Sequence, residues 1–382
     1  MQSMAAACVK DQLPRIASIS IQLRGEAIRN LRYELENLEH KTDVATHHAL
    51  FLACFMLGLS AAWHDSQDLG LIYFETAKGV FQRLSLLPSA QSDGESLGTS
   101  FCEKSLVYWQ MLMAPVCKDP DNEMNRGGQL AAASSSVGRK NLPTPPLSVC
   151  PVIPHPFTGL AESAQDLLTK VIALTRRRRE PSALDSAIKL EEQISRLPVP
   201  SEDNIQDTLD SMSPSWHFQV GAEAYKNAGL LQLYNAFPEL VESRLLNAAN
   251  ENQDSEKWLI SLAVHTIDLL KRIPPSSGTR CTQPLVFIIS AAGLKFPKVI
   301  TRCQSLEFES SFSFEISPFE VVVARSRTFV LDRLTCFERN LPSKPISTAI
   351  KLVREVWRQM DDENEVCWMD VMVDNQLESL FG

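Results

Sequence analysis

With 382 residues, 44% of them hydrophobic and 22% charged, the chain is too apolar for general disorder and long enough for two or three domains or one extended helical array. Its formal net charge of -9 opposes a role in coating nucleic acid, which needs broad positive charge to release counterions. The nine cysteines are scattered with no CxxC pair, and with no signal peptide they predict reduced, mostly buried thiols in cytosol or nucleus.

Glycine is scarce, at 15 residues, and good helix formers are many, so an all-α fold is expected. From residue 16 to 39, Ile16, Ile19, Leu23, Ile28, Leu31, Leu35 and Leu38 recur at helical spacing. The stretch "ALFLACFMLGLSAAW" (49–63) falls short of the roughly twenty residues that cross a bilayer. It predicts a buried helix capped by Thr46, with no membrane contact. A third helix is expected over Asp65–Leu87, with Leu69, Ile72, Tyr73, Ala77, Val80, Phe81 and Leu84 in one stripe and Pro88 as its stop. Close joins of this kind favour stacked antiparallel helix pairs. Within the third helix, "YFETAKGVFQRL" has tetratricopeptide-like spacing, although no 34-residue repeat accompanies it.

Residues 88–100 and 118–157 read as loops. The second is rich in Gly, Ser and Pro and predicts a flexible insertion between an N-terminal helical part (1–117) and a C-terminal helical part (158–382) of one domain. Next comes "HPFTGLAESAQDLLTKVIALTRRRRE" (155–180), with Thr158 as expected N-cap and Glu162 in the first turn. Leu160, Ala164, Leu167, Leu168, Val171 and Ile172 form its apolar stripe. Arg176, Arg177, Arg178 and Arg179 fall in the last turn, and Pro181 ends the element. Cations there suit the helix dipole. The same four arginines are also the one dense basic cluster, and so the candidate nuclear localisation signal.

Ser182–Leu197, Phe218–Phe237, Glu239–Ala249 and 258–275 are helical by pattern, and "QPLVFIISAAGLKF" (283–296) belongs in the interior. Around 305–316 the period changes to two, through Leu306, Phe308, Phe312, Phe314 and Ile316. That pattern reads as a small β-ribbon or as translated intron sequence. Helices return over Arg327–Arg339, Ser347–Met360 and Trp368–Leu380.

No nucleophile elbow, phosphate-binding glycine loop or zinc-hydrolase motif is present, so no catalytic residue and no cofactor are assigned. His40, His47, His48 and His64 with Asp65 form the best metal candidate. Adjacent helical histidines diverge by about 100°, which opposes one shared ion, and no metal site is assigned. The pairs Glu191/Glu192 and Asp361/Asp362 sit in polar segments, where nothing separates their acidities. "SEDNIQDTLDSMSPSWHF" (201–218) and "CWMDVMVDNQLESLFG" (367–382) have the acidic-apolar mix of coactivator-docking peptides. A linker for the first and a packed terminal helix for the second are the stronger readings.

The order of segments carries more than any one of them. "HPFTGLAESAQDLLTKVIALTRRRR", "SALDSAIKLEEQISRLP", "GAEAYKNAGLLQLYNAFPEL" and "QPLVFIISAAG", followed by "RTFVLDRLTCFERNLPSKPISTAIKLVREVWRQMDDENEVCWMDVM" with Trp357 and Trp368, resemble the fungus-specific transcription factor domain. The resemblance covers roughly 15–382. It implies a helical regulatory domain in the nucleus, partnered by other transcription factors or coactivators, as a homo- or hetero-dimer. The family usually carries six zinc-binding cysteines ahead of this region, where this chain has only Cys8. The chain is then a regulator without its own DNA-reading module, expected to make no tight DNA contact, or a shortened gene model. Members of that kind resemble regulators of secondary-metabolite clusters, trichothecene clusters among them. A second departure is the long insert between Gly293 and Arg325. The rival reading is a cytoplasmic tetratricopeptide-like scaffold.

Overall fold

The apolar spacings fold as helices throughout the computed structural model, which describes residues 1–10, 13–38, 41–87, 93–117, 152–247, 254–296, 317–362 and 366–382. Among the described residues the only β pairing is two isolated bridges, Val152 with Ile205 and His155 with Gly159. The fold is all-α. The ribbon expected at 305–316 lies outside the described residues, as does most of the 118–157 insertion.

The first part runs through α1 (Gln2–Val9), α2 (Ala17–Glu36), α3 (Val44–Leu59), α4 (Ala61–His64), α5 (Leu71–Leu86) and α6 (Asp93–Met113). Several boundaries differ from expectation for local reasons. Asp43, not Thr46, caps α3: its carboxylate accepts the Thr46 N–H at 2.7 Å. α5 begins six residues late because Gly70 takes φ 71° against Gly58, where a Cβ would lie 2.4 Å from the Gly58 carbonyl oxygen. Its buried stripe is therefore Phe74, Ala77, Val80, Phe81 and Leu84, and Ile72 faces outward. Ile19 on α2 is likewise exposed. α6 starts inside the stretch read as a loop, because the buried segment around Cys102, Trp109 and Leu112 propagates the helix backward through polar residues.

Val44–His64 has the length and hydropathy of a membrane span. Here its apolar residues meet protein instead: Phe51 and Cys54 are fully buried, and Phe55 packs edge-on against Trp109 at 5.4 Å.

The second part comprises α7 (Glu162–Arg176), α8 (Ala183–Ser195), α9 (Ser215–Ala236), α10 (Pro238–Asn247), α11 (Ser255–Arg272), α12 (Pro284–Ala291), α13 (Pro318–Asn340), α14 (Ser343–Asp361) and α15 (Trp368–Asp374). Every residue of α12 is buried, as its apolar run predicted. Each large side chain in it contributes about 1.5–3 kcal/mol by leaving water. Thr158 does not cap α7. Ala161 holds that place, and Thr158 is drawn into the preceding turn, where its N–H donates to His155 Nδ1 at 3.1 Å. The end of the 294–324 insert is helical, since Ser317 and Glu320 form a reciprocal capping box that starts α13 at Pro318.

One large core draws on both parts, from Leu31 to Phe381. A smaller core gathers Val171, Ala187, Ile194, Leu233, Tyr234 and Leu240 from α7 to α10. α9 runs through both: Val220 and Tyr225 pack in the first, Leu230 and Tyr234 in the second. The two tryptophans named in the resemblance tie segments together. Trp357 Nε1 donates to the Ala291 carbonyl at 2.8 Å, and Trp368 Nε1 to Gln232 Oε1 at 2.7 Å. Arg327 anchors α13. It forks onto Asp361 at 2.7 and 2.8 Å, donates to the Leu294 carbonyl at 2.9 Å, and stacks on Phe296 and Trp357.

Candidate functional site

The four arginines do not form one exposed surface. Arg176 donates to the Pro115 carbonyl. Arg178 donates to the Thr175 carbonyl at 3.1 Å and pairs with Asp370 of α15 at 2.8 Å. Arg176, Arg177 and Arg178 are half-buried, and Arg179 is exposed. Three of the four are thus partly covered, because α15 and the turn after α6 fold over the end of α7. A cation bonding one of the last carbonyls is the helix-end role the pattern allowed.

The histidine group is dispersed. His40 lies outside the described residues. His47 points inward, with Nδ1 2.9 Å from the Asp43 carbonyl oxygen, and the His48 ring lies over Gly98 of α6. His64 sits near the Ser3 and Ser20 hydroxyls. Burial, with Arg24, Lys10 and Lys344 nearby, pushes its pKa down to about 4. Its carbonyl accepts from both Lys10, at 3.2 Å, and Lys344, at 2.9 Å. Among the described residues no three His, Cys, Asp or Glu side chains converge to hold a metal ion. The carboxylate pairs are tied up in ion pairs: Glu191 with Arg244, Glu192 with Arg196, Asp361 with Arg327 and Asp362 with Arg358.

The acidic-apolar segments are built into the fold. In 201–218, Ile205 pairs with Val152, and the Ser213 hydroxyl accepts the Gly278 N–H at 2.9 Å. In 367–382, Trp368, Met369, Met372, Leu380 and Phe381 are buried, as a packed terminal element requires.

Sequence reasoning missed the most distinctive polar feature. A narrow crevice with about 20 Å³ of interior space, room for about one water, opens between the turn before α7, the start of α9, the end of α11 and the 3-10 turn Gly278–Thr282. A hydrogen-bond chain runs along it. Gln283 Nε2 donates to Thr279 Oγ1 at 3.2 Å, Thr279 Oγ1 lies 3.0 Å from Ser277 Oγ, and Ser277 Oγ lies 2.9 Å from His217 Nδ1. Among the described residues no protein atom bonds Gln283 Oε1 or Thr158 Oγ1, whereas the His217 ring is also drawn to the Met212 carbonyl. All three residues are at least nine-tenths buried. Burial lowers the His217 pKa, while Asp210 and the Met212 carbonyl pull the other way. The one available signal was "SSGTRCTQ" (276–283), a polar run directly before the most apolar helix, α12.

Among the described residues the domain is all-helical, with its histidines scattered and its terminal tryptophans locked to the core. Comparison with known families gives the class its name. The fungal specific transcription factor domain matches residues 3–382, and the chain belongs to that family. It is a family of transcription factor domains and not of enzymes. No curated protein and no solved structure matches the chain.

Proposed function

We propose that this chain regulates transcription in the nucleus through contacts with other transcription factors or coactivators, as a homo- or hetero-dimer, and that it controls a secondary-metabolite pathway without catalysis. The observation that carries the reading is the family match over nearly the whole chain, 3–382. The acidic balance of -9 supports action through protein rather than through tight DNA contact of its own. Import is assigned to Arg176, Arg177, Arg178 and Arg179, of which Arg179 is presented to solvent.

A fluorescently tagged chain tests this directly. The unsubstituted protein should be nuclear, and replacement of all four arginines by glutamine should move it to the cytoplasm. Since Arg176 and Arg178 also make internal contacts, solubility and helix content of the variant are measured alongside. A nuclear variant would leave the arginines with a helix-end role alone. A cytoplasmic parent would favour the scaffold reading.

A further inference from the structure

The link between α7 and α8 holds more than a basic cluster. Arg177 and Arg179 stand five and three residues ahead of Ser182, in the run Arg-Arg-Arg-Glu-Pro-Ser (177–182). One class of protein kinase selects its serine by this register, holding the two guanidinium forks on carboxylates of its own cleft. A register of this kind matters only where the fold leaves the serine within reach.

Here it does. Arg179, Glu180, Pro181 and Ser182 are consecutively exposed, and Leu184, Asp185 and Ser186 beyond them are exposed as well. Ala183 is the one buried residue from 179 to 186. An enzyme cleft therefore takes this segment by opening the first turn of α8 at the loss of one methyl from the core. The ordinary role for a serine at this place is to cap α8, with Asp185 at the third helical position completing the pattern. That role is not taken. Ser182 has φ -89° and ψ 0° in place of an extended cap conformation, and its hydroxyl makes no capping bond. Among the described residues no hydrogen bond or ion pair engages Arg179 either. Arg177 is half-buried, so Arg179 is the arginine a kinase meets first.

We propose that Ser182 is a phosphoacceptor for an arginine-directed protein kinase, and that its phosphate silences the neighbouring basic cluster. In the transfer the Ser182 oxygen bonds to the γ-phosphorus of ATP as the bond from that phosphorus to the β–γ bridging oxygen breaks. ADP leaves, and the hydroxyl proton passes to the kinase base and on to solvent. The product carries about -1.5 to -2 charges at pH 7, three residues from an exposed guanidinium. Its oxygens accept charge-assisted hydrogen bonds from Arg179, which takes the best presented cation of the cluster away from an import receptor. Glu180 and Asp185 repel the phosphate, so Arg179 is the partner left to it. The effect on location rests on the assignment of import to Arg176, Arg177, Arg178 and Arg179, and the phosphorylation itself does not.

The intact purified chain is incubated with ATP and a kinase selective for arginine at both positions. A parallel sample receives an acid-directed kinase, because Asp185 stands three residues after Ser182. Tandem mass spectrometry should find a phosphoryl group on Ser182, placed there faster by the first enzyme than by the second. Arg179→Lys keeps the charge and loses the fork, so it should slow the labelling at least about tenfold while circular dichroism stays the same. Absence of phosphate on Ser182, labelling no faster than by the acid-directed kinase, or an equal rate for Arg179→Lys would overturn the site. In cells, tagged Ser182→Glu should be at least about twofold less nuclear than Ser182→Ala. Equal nuclear shares of these two variants, with a nuclear parent, would overturn the silencing alone. A cytoplasmic parent would overturn the import reading and the silencing with it, and the labelling experiment decides the site in either case.

Discussion

Two buried polar assemblies in this domain differ in one respect. Around Arg327 the donors have acceptors and the guanidinium is held between Phe296 and Trp357. Around the Gln283–His217 chain the interior bonds are made, and Gln283 Oε1 and Thr158 Oγ1 are left over. A closed network of the first kind fixes the geometry of α13 against α14. An open one holds its neighbours less firmly and adds little to stability.

The sharpest way to break the contrast is to open the closed network. Arg327→Ala leaves the Leu294 carbonyl without its donor and Asp361 without its fork, and it removes two aromatic contacts. A loss of about 3 kcal/mol is expected in urea unfolding, given that the guanidinium side is nearly buried and Asp361 is part exposed. A loss below about 1 kcal/mol would show that the network is decorative.

A smaller effect should come from acid. His155 Nδ1 accepts the Phe157 and Thr158 N–H groups and so shapes one wall of the crevice. Burial, with Lys104 adding to it, pushes its pKa down to about 4. The folded pKa is below the unfolded value of about 6.5, so the unfolded chain takes up the proton first as pH falls. The stability is present above about pH 6.5 and is lost toward pH 4, by about 2 kcal/mol from this group. His64 carries a shift in the same direction, so His155→Asn should flatten part of the slope rather than all of it. An unchanged slope in the variant would remove His155 from the account.

The smallest effect should fall on the open network. Thr158→Val replaces an unpaired buried hydroxyl by a methyl of similar size. Stability should stay level or rise by up to about 1 kcal/mol, the reverse of the usual cost of losing a buried polar group. A drop of more than 1 kcal/mol would mean that the hydroxyl is satisfied in solution and that the contrast is false.

The sequence shows the closed side of this comparison better than the open one. The apolar run of α12 was readable because burial of a whole helix leaves a local pattern, and the two tryptophans were readable through the family resemblance. The late start of α5 was not, since it depends on Gly70 lying against Gly58, two helices that meet only in the fold. The arginines were readable as a helix end, while their covering by Asp370 and Pro115 came from remote segments. The crevice draws on positions 158, 217 and 277–283, and no single stretch contains its geometry.

The carbonyl of His64 has a consequence in time. Lys10 and Lys344 both end on that one oxygen, so the first helix and a helix near the end of the chain are held at the same point. On the ribosome, residue 64 emerges 280 residues before its second lysine does. At about 5–20 residues per second, that is an interval of roughly 15 to 60 s. The apolar face of α3 does not wait that long, because the helices packed on it, α2, α4, α5 and α6, all precede residue 114. The late partner is α14, so the first part can shelter its most apolar helix before Lys344 arrives to join the two ends of the chain.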